Sequence, residues 1–180
     1  METPSPALEG RLVRLRAREQ ADLPRLNEMF GDPDVLAGLT FPFPQPMAGI
    51  REWAERTRGD GSATFVIETL EVREAVGVCS LENVQSRART AQFGIWVGKP
   101  YWNHGYGTDA TRTCCRFGFR YMNLQRIELT VYASSNPHAV RAYERVGFKH
   151  EGVLRREQFL AGNHTDVDVM GLLAEELIEG

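Results

Sequence analysis

Along the chain the spacing of hydrophobic and polar positions changes several times, and each change marks an element. Arg11-Leu12-Val13-Arg14-Leu15-Arg16 alternates broadly as a strand does, with Leu12, Val13 and Leu15 available to a core, and Arg18 to Phe30 reads as a helix. Gly31-Asp32-Pro33 closes it. The stretch Phe41-Pro42-Phe43-Pro44-Gln45-Pro46 cannot be regular helix, because each proline lacks an amide donor and restricts the residue before it. It reads as a stiff aromatic loop. A helix with Ile50, Trp53 and Ala54 on one face follows, ended by Gly59-Asp60-Gly61. Residues 63–68, 75–81 and 91–97 are apolar runs with short connections, which predicts three strands in an antiparallel meander. From Thr108 to Leu124, the positions Ala110, Cys114, Phe117, Tyr121 and Leu124 recur at spacings of four and three, the mark of one packed helical face. Arg126 to Val131 reads as a strand. Pro137 and Gly147 bracket a short helix in which Ala139 and Tyr143 share a face. Two last strands, around Lys149 to Phe159 and Val167 to Leu173, are separated by a turn at Ala161-Gly162-Asn163-His164. The sum is a mixed α/β domain without internal repeats.

A length of 180 residues suits a single domain over 1–180, with residues 1–9 as a flexible tail. The formal charge of −3, from 21 basic and 24 acidic residues, gives no broad positive field to attract nucleic acid. Adjacent Cys114 and Cys115 inside a predicted helix suit buried thiols better than a disulfide framework, and point to a reducing, cytoplasmic compartment. The first residues, Met1-Glu2-Thr3-Pro4-Ser5-Pro6, carry neither a basic region nor an apolar run, and no membrane span is expected. His104, His138, His150 and His164 show no zinc-ligand spacing, there is no Cys-x-x-Cys pair, and no metal site is expected.

Chemistry concentrates between Gly94 and Ala110, where a predicted strand passes through a glycine-rich turn into a helix. That arrangement presents backbone N–H groups to a phosphate. Gly105-x-Gly107-x-x-Ala110 satisfies a loose dinucleotide fingerprint, but Tyr132, Ala133 and Ser134 stand where its ribose-binding acid is expected. No Gly-x-x-x-x-Gly-Lys-Ser/Thr occurs, so a nucleotide-triphosphatase loop is also absent. Asp109 is placed to cap or support the turn rather than touch the anion.

Together with Asn136-Pro137-His138-Ala139-Val140-Arg141-Ala142-Tyr143-Glu144-Arg145-Val146-Gly147-Phe148, this segment resembles the GNAT superfamily of acetyl-CoA-dependent N-acetyltransferases. Trp102-Asn103-His104-Gly105-Tyr106-Gly107 lies over that family's Arg/Gln-x-x-Gly-x-Gly/Ala loop, departing from it at Trp102, and resembles the branch of ribosomal-protein N-terminal acetyltransferases. The last strands look equally like diamine acetyltransferases. The resemblance implies the GNAT fold, a mixed and mostly antiparallel central sheet flanked by helices, and acetyl-CoA as cosubstrate. It implies that Trp102, Asn103, His104, Gly105, Tyr106, Gly107 and Thr108 bind its phosphates. Main chain of Ile95, Trp96 and Val97 would meet the acetyl carbonyl, and the strand would splay from residues 126–131 to admit the acyl arm. Asn136 would lie near the pantetheine and Arg141 near phosphate, while Tyr143 would protonate the departing thiolate. By their residues alone, Asn136 is also a helix cap, Arg141 a solvated charge and Tyr143 a core aromatic.

Direct transfer to an amine needs a base, because an amine with a pKa near 10.4 is protonated at neutral pH. Glu82, at the end of its predicted strand, is the first candidate, Glu128 the second, and an ordered water the third. Phe41, Phe43, Trp53 and Glu82 form a candidate wall for a cationic amine. The acceptor stays open between a protein N-terminus and a small-molecule amine such as a polyamine or aminoglycoside. The resemblance also implies a homodimer. The competing class is a noncatalytic acyl-CoA-binding regulator.

Overall fold

The computed structural model describes residues 8–39, 61–132, 134, 136–160 and 162–180. Seven strands form one sheet: β1 (Val13–Arg16), β2 (Ala63–Thr69), β3 (Ala75–Gln85), β4 (Thr90–Val97), β5 (Arg126–Val131), β6 (Lys149–Leu160) and β7 (Asn163–Leu173), in the order β1-β2-β3-β4-β5-β7-β6. Every neighbouring pair is antiparallel except β4–β5. The helices are α1 (Leu23–Phe30), α2 (Pro33–Leu36), α3 (Tyr106–Tyr121) and α4 (Pro137–Glu144).

The connectivity follows from that one parallel pair. A hairpin cannot join parallel strands, so the chain crosses over through α3 between β4 and β5. The β6–β7 hairpin then folds back, and β7 inserts between β5 and β6. Side-chain alternation assigns the two faces. Leu81, Phe93, Ile127, Leu129, Met170 and Leu172 point to one side and join Ala110, Cys114 and Cys115 of α3 in the main core. On the other side Val66, Ala75 and Val78 pack under Leu26 of α1, with Met29 and Trp96 against them.

Most predicted elements are present, with shifted ends. The meander of β2, β3 and β4 and the terminal hairpin form as expected. The long helix runs from Tyr106 to Tyr121 rather than from Thr108 to Leu124. Leu124 is buried beyond its end, whereas Tyr121, read as part of the packed face, is 62% exposed and stacks on Phe117. Cys79, Cys114 and Cys115 are buried free thiols. Leu8 packs against the main core and Glu9 accepts a bond from Arg116, so these two residues of the expected tail are docked. The loop at 41–46 and the helix around Ile50, Trp53 and Ala54 lie outside the described residues.

Asp109 is the clamp that fixes the start of α3 against β1. Its carboxylate, 5% exposed, accepts the backbone N–H groups of Arg11 at 3.1 Å, Leu12 at 2.7 Å and Val13 at 3.0 Å. Gly10 makes room for it, since a Cβ there would fall 2.4 Å from Asp109 Oδ2. Asp109→Asn replaces one acceptor by a donor that faces these donors, leaving buried groups unsatisfied. A loss of about 2–3 kcal/mol is expected, read as a lower urea midpoint at unchanged m value.

Candidate active site

Three rungs hold β4 to β5: Thr90↔Arg126, Ala91↔Ile127 and Gln92↔Glu128. Beyond them the strands part, although both continue, β4 to Val97 and β5 to Val131. The gap is not fraying. β4 stays paired with β3 as far as Gly77↔Val97, and β5 with β7 as far as Val131↔Asp168. Backbone groups that a continuous sheet would satisfy therefore face an opening and require other partners. The splay expected from the resemblance is present.

The glycine-rich loop lies at the open end of this gap. A 3-10 turn at Lys99–Tyr101 follows Gly98, and the indole N–H of Trp102 donates to the Val97 carbonyl at 2.7 Å, so this side chain shapes the loop. Asn103 and Gly105 both take positive φ, 64° and 83°, and at Gly105 only a glycine avoids the strain. His104 stacks on Tyr106, 5.5 Å between centroids, with its Nδ1 2.8 Å from the Trp102 carbonyl. The first bond into the helix is Asp109 N–H to the Gly105 carbonyl at 3.0 Å. The N–H groups of Asn103, His104, Gly105, Tyr106, Gly107 and Thr108 therefore have no acceptor among the described residues. They lie at the positive end of a 16-residue helix, an arrangement suited to cradle an anion. Trp102, Asn103, His104 and Gly105 are exposed.

Ile95 and Val97 pack towards the main core, and Trp96 towards α1, where Phe30 meets its ring edge-on at 5.4 Å. Their side chains are thus occupied on the two faces, which leaves main chain for the gap.

Tyr143 projects from α4 on the main-core side. Its half-buried ring meets Phe93, the first β4 residue beyond the paired rungs, at 6.4 Å and Phe148 at 5.8 Å. Burial, with a smaller contribution from Cys115, pushes the phenol up to about 12. Its hydroxyl has no hydrogen-bond partner among the described residues. Asn136 caps α4, its side chain accepting the Ala139 N–H at 3.1 Å, and lies across from Gly38 beyond the end of α2. Arg141 is exposed, with its guanidinium 2.9 Å from His138 Nδ1.

The opposite face carries the carboxylates. Glu82 pairs with Gln92 and Gln92 with Glu128, so one cross-strand row, Glu82–Gln92–Glu128, closes the narrow end of the gap. Spanning two interstrand spacings puts the outer backbones roughly 10 Å apart. Glu128 accepts from Arg126 at 3.2 Å, and Arg126 is held charged mainly by Glu151. Half-buried Glu82 has no ion-pair or hydrogen-bond partner among the described residues. The gap thus joins a phenol on one face to acidic groups on the other. The expected aromatic wall of Phe41, Phe43 and Trp53 lies outside the described residues.

Sequence reasoning did not single out Gln92, whose role emerges only from register. It also did not single out Arg11, Arg112 and Arg145, which converge beside Gly105 and Thr108. Arg11 stands on a predicted strand and Arg112 and Arg145 on two different predicted helices, and nothing in their spacing announces convergence.

A family model described as an acetyltransferase (GNAT) domain matches residues 12–149, and the chain belongs to the GNAT acetyltransferase family. Spermidine N(1)-acetyltransferase of Vibrio cholerae is 27% identical over 170 residues, covering 92% of this chain and 95% of that protein. The putative ribosomal N-acetyltransferase YdaF of Bacillus subtilis is 31% identical over 100 residues, 56% of this chain and 54% of that protein. Among solved structures, spermidine N-acetyltransferase from Vibrio cholerae in complex with CoA and spermine superposes with a TM-score of 0.84 at 25% identity, covering 91% of this chain and 96% of that one. The family expectation stands. The narrower resemblance to the ribosomal-protein branch does not single out that branch, because spermidine acetyltransferases match over far more of the chain.

Proposed function

We propose that this protein transfers the acetyl group of acetyl-CoA to a primary amine of a polyamine. The observation that carries the proposal is the gap between β4 and β5, with unpaired N–H groups of residues 103–108 at its open end and the Glu82–Gln92–Glu128 row at its closed end. A cationic amine fits the acidic row, and a pyrophosphate fits the cradle. The relatives that bind or acetylate spermidine and spermine support this acceptor over a protein N-terminus or an aminoglycoside.

In this reading Asn103 to Thr108 hold the cofactor phosphates by their N–H groups, and main chain of Ile95 to Val97 polarises the acetyl carbonyl. Glu82 holds the incoming ammonium and takes its proton directly or through one water, while Glu128 shares its charge with Arg126. The C–N bond forms and the C–S bond breaks, the second proton of the amine passes from nitrogen through solvent to the departing sulfur, and Tyr143 donates a hydrogen bond to that sulfur. A phenol near 12 stays protonated at neutral pH. It also lies well above an ordinary thiol near 8.5, so its role is to stabilise the thiolate rather than to surrender its proton outright.

The test is product mass after incubation with acetyl-CoA and a matched panel of spermidine, spermine, aminoglycosides and peptides with free N-termini. Addition of one acetyl group to the polyamines, at a kcat/KM at least about tenfold above the other amines, is expected. Preferential modification of peptide N-termini would replace the polyamine reading. Saturable acetyl-CoA binding without transfer to any panel member would favour a binding protein.

A further inference from the structure

Beside the phosphate loop lies a cavity of about 300 Å³ whose chemistry the acyl-transfer reading does not use. Arg11 enters it from the chain just before β1, Arg112 from the second turn of α3 and Arg145 from the end of α4, and Gly105 and Thr108 form the wall it shares with the loop. Its one carboxylate, Asp109, is already occupied by three backbone N–H groups. The three guanidinium groups have no Asp or Glu partner among the described residues. Arg112 donates to the carbonyls of Ile178 at 2.8 Å and Arg145 at 3.4 Å, both neutral acceptors, and Arg11 donates to the main-chain oxygen of Gly180. Arg145 uses its own guanidinium in no hydrogen bond among the described residues. A solvated surface charge needs no concavity. Three arginines turned into one cavity make a site for a planar or tetrahedral anion of high charge.

We infer that this cavity binds a phosphate monoester, and specifically the ribose 3′-phosphate of the coenzyme A nucleotide. The inference rests on the proposed cofactor reading and adds a site to it. The two anionic groups of that nucleotide are joined through one ribose, so a pyrophosphate on residues 103–108 requires the 3′-phosphate to lie close by. The cavity shares Gly105 and Thr108 with the cradle, which meets this requirement. Arg11, Arg112 and Arg145 then act as cofactor-specificity residues, remote from the reacting atoms. Arg141, the arginine singled out by the sequence for phosphate, is bonded to His138 and is not among the cavity's lining residues.

The test compares calorimetric titrations of acetyl-CoA and acetyl-3′-dephospho-CoA into the wild-type protein, Arg145→Gln and Arg11→Gln. The wild type is expected to favour acetyl-CoA by about tenfold or more, as a charge-assisted phosphate pair would give. Arg145→Gln is expected to shrink that preference to about threefold or less while leaving affinity for the dephospho compound unchanged. Arg145 is the preferred variant because its side chain supports no hydrogen bond within the described structure, and Arg11→Gln guards against a local rearrangement. Equal wild-type affinity for the two ligands would overturn the inference while leaving the cofactor reading intact. So would a preference that survives both substitutions, or an equal loss for both ligands in both variants. Failure of the wild type to bind either ligand would remove the cofactor reading and this inference with it.

Discussion

Tyr143→Phe is expected to lower kcat by about 10²-fold while leaving the affinity for acetyl-CoA within about twofold. The substitution preserves the ring that packs on Phe93 and Phe148 and removes only a hydroxyl without a partner among the described residues, so little packing is lost. Stopped-flow measurement of thiol release under saturating cosubstrate isolates the chemical step. An unchanged single-turnover rate would return Tyr143 to the role of a core aromatic. The pH profile adds a second reading. A hydrogen-bond donor works only while protonated, so activity that depends on it is lost as pH rises through its pKa. With the phenol up at about 12 rather than near 10, Tyr143 should impose no alkaline limb below about pH 11.

Gly105→Asp is expected to weaken acetyl-CoA binding by about 10²-fold, equivalent to about 2.7 kcal/mol, with a smaller effect on stability. Gly105 adopts φ of 83° immediately before α3, and a Cβ there meets Leu12 Cδ1 at 3.1 Å. An aspartate adds a negative charge beside the N–H groups that would otherwise meet phosphate. Gly105→Ala separates the causes. Alanine suffers the positive φ more than aspartate does, yet carries no charge. Calorimetric affinities should therefore fall further for Asp than for Ala. If Ala loses as much affinity as Asp, backbone strain rather than anion binding explains the position.

What the sequence revealed and what it concealed divide along a physical line. Local signals were readable: apolar runs for β2, β3 and β4, Pro137 opening α4 and Gly147 after its end, and the glycine turn leading into α3. Asp109 was read as a support for the turn, and it does hold β1 against the helix. The helix end was misjudged because Leu124 keeps the apolar spacing after the backbone has left the helix at Met122, and Tyr121 was counted inward although its ring lies outside. Relations between strands were the least visible. Nothing in residues 126–131 says that pairing with β4 stops after Glu128, and nothing near Gln92 says that it stands between two glutamates. Those facts depend on register, which is fixed only when every strand has found both neighbours. The arginine cavity was hidden for the same reason, since its three members come from elements far apart in sequence.

Coenzyme A is proposed to enter through the loop at residues 103–108 and to reach into the gap between β4 and β5. Amide chemical shifts of the isotopically labelled protein, followed through a titration with acetyl-CoA, test it most directly. Saturable shifts are predicted at Asn103 to Thr108, with a second group at Phe93 to Val97, and none of comparable size on the exposed strand β6. Saturable binding that leaves both groups unmoved, or the absence of saturable binding, would contradict the account.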